Sequence, residues 1–195
     1  MEHYVIITKN MTLIKCLAAP ESFTYDAVNR KLEKNLKTDA VISTPDKNFA
    51  YLALFEGSKV YETYTRAPLI PDCSDKETLI NRLVEKFLEV LGIPKMDRGY
   101  YYLKYMIKCH VEDAHYSLQP MGEVVYPECA NLFGVSPKTV SRYANLALRN
   151  SFNKNATKHL AVWGDMAGRN VVDVPKAAYF TIYAGEKIRA LLPKE

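Results

Sequence analysis

Between Pro137 and Ser151 the chain carries Lys138, Thr139, Ser141, Arg142 and Asn145. On a helix these polar side chains fall outside an apolar strip formed by Val140, Ala144, Ala147 and Leu148. An arginine can pair with both acceptors on a guanine edge, and an asparagine can pair with adenine. The chemistry suggested is readout of base edges in a duplex groove. A second set suits phosphate: Ser136, Arg149, Lys154, Lys158 and His159. From Cys129 to Gly164 there is no Asp or Glu, which leaves a local positive field suited to a polyanion. Charge alone also fits an ordinary solvated basic surface, because the net charge is only +4.

Local sequence supplies the elements that would position these groups. Tyr126-Pro127 opens a short helix, with proline tolerated in the first turn. Ala130 is small where two helices must cross. Gly134 provides the positive φ of a tight interhelical turn, and Val135 can plug the corner. Ser136 can cap the next helix, with Pro137 at its first position. Corner, cap, inner strip and polar outer face agree on a helix-turn-helix whose second helix runs over 137–151. The first turn of such a helix is the part that reaches base edges.

Two resemblances follow from the residues. Gly134-Val-Ser-x-x-Thr-Val-Ser-Arg142 is similar to the motif that opens lactose-repressor-type regulators. Over a longer stretch, from about 74 to 192, the chain resembles the C-terminal effector domain of the stage 0 sporulation protein A family of response regulators. The residues carrying this are Leu91-Gly-Ile-Pro94, Gly99-Tyr-x-Tyr-Leu103, Val125-Tyr-Pro127, Ala130-x-x-Phe133 and Val140-x-Arg142. The resemblance implies an all-helical bundle of about six helices that binds short, often tandem, operator boxes and regulates transcription. It implies double-stranded DNA as partner, RNA polymerase as a further one, and a homodimer or tandem pair on DNA. The family reads bases with a Glu-Arg pair and an Arg one turn later. Here those positions hold Ser141, Arg142 and Asn145, so only Arg142 is kept and an altered box preference is expected.

The fold class expected is a small α+β N-terminal module followed by an all-α helical bundle containing the helix-turn-helix. The boundaries are 1–66 for the module, 67–73 for a linker with two prolines, and 74–195 for the bundle. In the module, strands are expected at His3–Thr8, Met11–Leu17, Ala40–Ser43, Phe49–Phe55 and around Val60–Tyr64, with a helix over Thr24–Leu36. Lys9-Asn10 is read as a hairpin turn, and Pro45-Asp46-Lys47-Asn48 and Gly57-Ser58 as breaks. In the bundle, Asp75 or Ser74 caps a helix with Leu79, Ile80, Leu83, Phe87 and Leu91 inward, stopped by Gly92 and Pro94. Asp97 starts a second helix with Tyr101, Tyr105, Lys108 and Val111 on one face, broken at Pro120-Met121-Gly122. Further helices are expected over Thr157–Met166 and Lys176–Leu192. Residues 1–66 lack the acidic cluster and phosphoacceptor of a receiver domain; Asp26 and Asp39 read as capping or turn residues, and no phosphorelay control is expected.

Other function classes find little support. Cys16, Cys73, Cys109 and Cys129 form no CxxC pair, and His110, His115 and His159 lack metal or catalytic spacing. No cofactor and no metal are expected. No phosphate loop or nucleophile elbow is present, so no enzymatic activity is expected. Tyr100, Tyr101, Tyr102 and Tyr105 could stack on single-stranded bases, but core packing is the better reading, as it is for Trp163. No window approaches the roughly 18 apolar residues of a membrane span, and Met1-Glu2-His3 does not open like a signal peptide; a cytosolic protein is expected. The alternative from another class is a protein-interaction module built on helix-turn-helix geometry.

Overall fold

The computed structural model describes residues 4–8, 40–62, 75–163 and 174–193. The expected strand at 11–17, the helix at 24–36, the turn at 9–10, the linker and Tyr64 lie outside these residues. The chain divides into two compact units, Met1–Asp72 with Thr157–Asn170, and Cys73–Ala156 with Val171–Glu195.

The first unit contains a three-stranded sheet. Strand β1 (Tyr4–Thr8) is central, with β2 (Ala40–Thr44) and β3 (Lys59–Glu62) antiparallel on either side. Ile6 faces Ile42 on one side and Val60 on the other. Tyr4, Ile6 and Thr8 are buried and Val5 and Ile7 half-buried, the period-2 pattern of a strand. Between β2 and β3 runs helix α1 (Lys47–Glu56), which packs on all three strands.

Helix α1 corrects the expected strand at Phe49–Phe55. That run is apolar at every position, so neither strand nor helix periodicity shows in it. Local capping decides. Asp46 accepts hydrogen bonds from the Asn48 and Phe49 amides at 2.9 and 3.2 Å, satisfying first-turn donors. Gly57, at φ 109°, closes the far end. The segment read as a break, Pro45–Asn48, is thus the helix start. Ala50 and Ala53 are fully buried and let the helix lie close to the sheet.

In the second unit, α2 (Lys76–Val90) is capped by Asp75, which accepts from the Glu77 and Thr78 amides at 3.2 and 2.9 Å. Leu79, Ile80, Leu83, Phe87 and Leu91 are buried as the spacing expects. After Gly92 (φ 76°), α3 (Arg98–Glu112) begins at Asp97. A 3-10 turn (Ala114–Leu118), one π-helical turn (Met121–Val125), α4 (Tyr126–Phe133), α5 (Pro137–Trp163), whose residues from Thr157 on belong to the first unit, and α6 (Ala177–Arg189) follow.

Two expectations about α3 are corrected. Its inward face is Gly99, Tyr100, Tyr102, Leu103, Met106, Ile107, His110 and Val111, rotated from the expected Tyr101–Tyr105–Lys108–Val111 line. Tyr101 is 51% exposed, and Lys108 pairs with Glu77 at 2.7 Å. Helix α3 packs against α2, α4 and α6, so its buried face is wider than one stripe. It also ends at Glu112 rather than at Pro120, because Asp113 is extended and its side chain accepts from the His115 amide at 2.8 Å.

Two glycines allow close packing on α3. A Cβ on Gly99 would stand 2.3 Å from the Tyr143 carbonyl oxygen of α5 and 2.6 Å from the Ala147 Cβ. A Cβ on Gly185 of α6 would stand 2.5 Å from the His110 Cβ. At the end of α3, the Arg189 guanidinium donates to the His110 and Val111 carbonyls, which are orphan acceptors at a helix terminus. The His110 ring is fully buried, with Nδ1 3.3 Å from the Ser117 hydroxyl and Nε2 unpartnered. Burial, helped by the Arg189 charge, lowers its pKa from 6.5 to about 4.

Two outcomes are expected. Gly99→Ala should destabilise the bundle by about 1–3 kcal/mol through overpacking against backbone, read as a lower urea midpoint. His110 is neutral when folded, but the unfolded chain takes up a proton below pH 6.5. Its contribution is therefore fully present above pH 6.5 and is lost as pH falls towards about 4. Urea unfolding between pH 4 and 7 should show stability rising with pH, and His110→Gln should flatten that slope.

Candidate nucleic-acid interface

The corner between α4 and α5 is built by local chemistry. Pro127 sits in the first turn of α4, and Gly134 ends it at φ 65°, ψ 36°. The Val135 amide donates back to the Ala130 carbonyl at 3.0 Å, a hydrogen bond that closes a glycine-terminated helix. Ser136 then caps α5: its hydroxyl accepts from the Thr139 amide at 3.2 Å and lies 2.8 Å from the Thr139 hydroxyl. Helix α4 is anchored on α3 by Phe133, whose ring centroid lies 5.2 Å from that of Tyr102 and 6.3 Å from that of Tyr105.

Val140, Ala144, Ala147 and Leu148 are buried, so the inner strip of α5 is the one the spacing gives. The helix extends further than 151. Non-helical Asn155 (φ −134°, ψ 38°) then parts it from a second helical segment that reaches Trp163, in keeping with the two helices expected at 137–151 and 157–166; residues 164–166 lie outside the described residues. Before the kink, the Ser151 hydroxyl donates to the Leu91 carbonyl, and the Asn155 side chain lies against Gly92.

Lys138, Arg142 and Arg149 are exposed on the outer side; Lys154, about 160° round the helix from Lys138, and Lys158, beyond the kink and in the first unit, are exposed as well. Among the described residues none of these five pairs with a carboxylate. Lys138, Arg142 and Arg149 recur at i, i+4 and i+11, which places them along one stripe of the helix. The Arg142 guanidinium is 5.9 Å from the Tyr143 ring centroid.

The remaining residues of the expected site sit differently. Ser136 and Thr139 are engaged with each other in the cap. Ser141 is half-buried and bonds the Tyr126 hydroxyl, whose pKa is raised by burial with that bond opposing the rise. Asn145 donates to the Ser141 carbonyl at 2.7 Å and accepts from the Ala177 amide at 2.9 Å, so its amide is held inside the protein. His159 is 1% exposed and does not present its ring to solvent. Tyr126 and Ala177 were not among the expected site residues; no spacing signal marks either, because both meet α5 only through tertiary packing. A shallow cleft of about 250 Å³ lined by Arg98, Tyr101, Tyr102, Phe133 and Val135 adjoins the corner.

A glycine-turned helix pair presents a basic stripe with no acidic partner among the described residues, and its other side is packed into a helical bundle; this is helix-turn-helix geometry. Residues 84–177 match the family model described as "Sporulation initiation factor Spo0A C terminal". That segment, from the middle of α2 to the first residue of α6, is a Spo0A C-terminal domain, of a DNA-binding and non-enzymatic family concerned with sporulation. The match is narrower than the 74–192 over which motifs resemble the family, and the N-terminal region is assigned to no family. No curated protein matches the chain. Among the described residues no helix is long and apolar enough to cross a membrane, and no cluster of three or more His, Cys, Asp or Glu could hold a metal ion.

The corner is open to test. Nothing lies within 4 Å of where a Cβ on Gly134 would stand, so Gly134→Ala meets no clash and only the left-handed backbone penalty. A loss of about 1–2 kcal/mol is expected. An unchanged melting temperature would contradict the assigned turn.

Proposed function

We propose that the protein is a sequence-specific regulator of transcription that lays residues 137–151 in the major groove of double-stranded DNA. The observation carrying this is the exposed stripe Lys138–Arg142–Arg149, which pairs with no carboxylate among the described residues, on a helix whose opposite side is buried. Arg142 is the principal base reader, with Lys138 beside it in the first turns. Thr139 and Ser141 lie at the edge of the reading surface. Arg149, Lys154 and Lys158 supply phosphate contacts, as does Ser136 at the helix start. Residues 74–195 form the DNA-binding part. One short helix covers few base pairs, so two copies act together, as a homodimer or on tandem boxes. RNA polymerase is the natural further partner of such a regulator. Residues 1–66 are a separate module.

Selection from random duplex DNA at moderate salt tests the reading. One enriched box is expected. Arg142→Ala should cost about 1–3 kcal/mol of discrimination at its base pair. Lys154→Ala should weaken binding evenly on all sequences and reduce the salt slope by about one. Equal, sequence-independent losses from both variants would remove Arg142 as reader. Binding that ignores salt would point instead to protein contacts.

A further inference from the structure

We propose that Asn145 reads no base and is instead the positioning residue that fixes the recognition helix against α6. This rests on the DNA-binding reading above. By helical spacing Asn145 belongs to the same stripe as Lys138, Arg142 and Arg149, and its amide matches adenine chemically. Its hydrogen bonds place it elsewhere. Nδ2 donates to the Ser141 carbonyl at 2.7 Å and lies 3.5 Å from the Ser141 hydroxyl, while Oδ1 accepts from the Ala177 amide at 2.9 Å.

Ala177 is the first residue of α6 and is fully buried. Its N–H is one of the donors that a helix start leaves without an internal acceptor, and Asn145 is the acceptor it finds. Turning Asn145 outward to a base would strand a buried donor, which costs more than a new bond at a wet interface returns. Helix α6 packs on α3, and α3 meets α5 at Gly99 and Tyr143. The Asn145–Ala177 bond therefore completes a ring of three helices and sets the rotation of α5 about its own axis. Ser141 adds a second tie, through Tyr126 at the start of α4. Base discrimination is left to Lys138 and Arg142, whose aim depends on that rotation.

The test combines selection from random duplex DNA with amide hydrogen exchange on the full chain. Asn145→Ala should speed Ala177 exchange by roughly five- to tenfold. It should blunt preference evenly at every position of the box, while binding to random duplex stays close to wild type. Asn145→Gln keeps an amide able to pair with adenine but is too long for the Ala177 bond, so it should blunt the box in the same even way. Asn145→Asp keeps the acceptor and should restore Ala177 protection. Loss of preference at one base pair in the alanine variant, retained in the glutamine variant, would overturn the proposal. Unchanged Ala177 exchange in the alanine variant would do the same. A wild-type chain that enriches no sequence at all would instead overturn the DNA reading on which it rests.

Discussion

The helical unit depends on how closely its neighbours approach α3. Two of the contacts are made where a side chain is missing, at Gly99 against the α5 backbone and at Gly185 against His110. Close-packed interiors gain many weak dispersion contacts at such crossings and lose them quickly when helices part. Arg189 reinforces the second crossing by occupying the carbonyls where α3 ends. Helix α5 is thus held by backbone geometry deep in the bundle, and its outer face is left to vary.

This division explains the chemistry of that outer face. The inner strip of α5 is small and aliphatic, and its polar half-buried flank is consumed by Tyr126, Ser141, Asn145 and Ala177. What remains toward solvent includes Lys138, Arg142 and Arg149, which have no acidic partner among the described residues. Exposed ion pairs elsewhere, such as Lys95 with Glu85, add little to stability; the absence of such pairs along α5 costs the fold little and leaves the charge available.

Much of this was legible from the residues. The corner at Gly134, the cap at Ser136, the inner strip of α5, the cap of α2 and the start of α3 at Asp97 are short-range features, set by residues a few positions apart. What could not be read needed tertiary contacts. Phe49–Phe55 is an exception of another kind: it is apolar throughout and shows no period, and the local caps Asp46 and Gly57 mark it as a helix. The phase of α3 follows from being packed on several sides, which a single stripe does not describe. Asn145 has the type and spacing of a base reader, and only the position of Ala177, 32 residues on, shows how its amide is used. His159 is of a residue type suited to phosphate, yet it is buried.

The kink at Asn155 and the short run of exposed cations limit how much duplex one copy could read on the proposed function. From Lys138 to Arg149 the helix rises about 16 Å, the length of about five base pairs. A five-letter word recurs about once in a thousand random positions, whereas a genome offers on the order of a million or more competing sites. On the proposed reading, one copy holds a syllable of an address, and a unique location is spelled by repeating it.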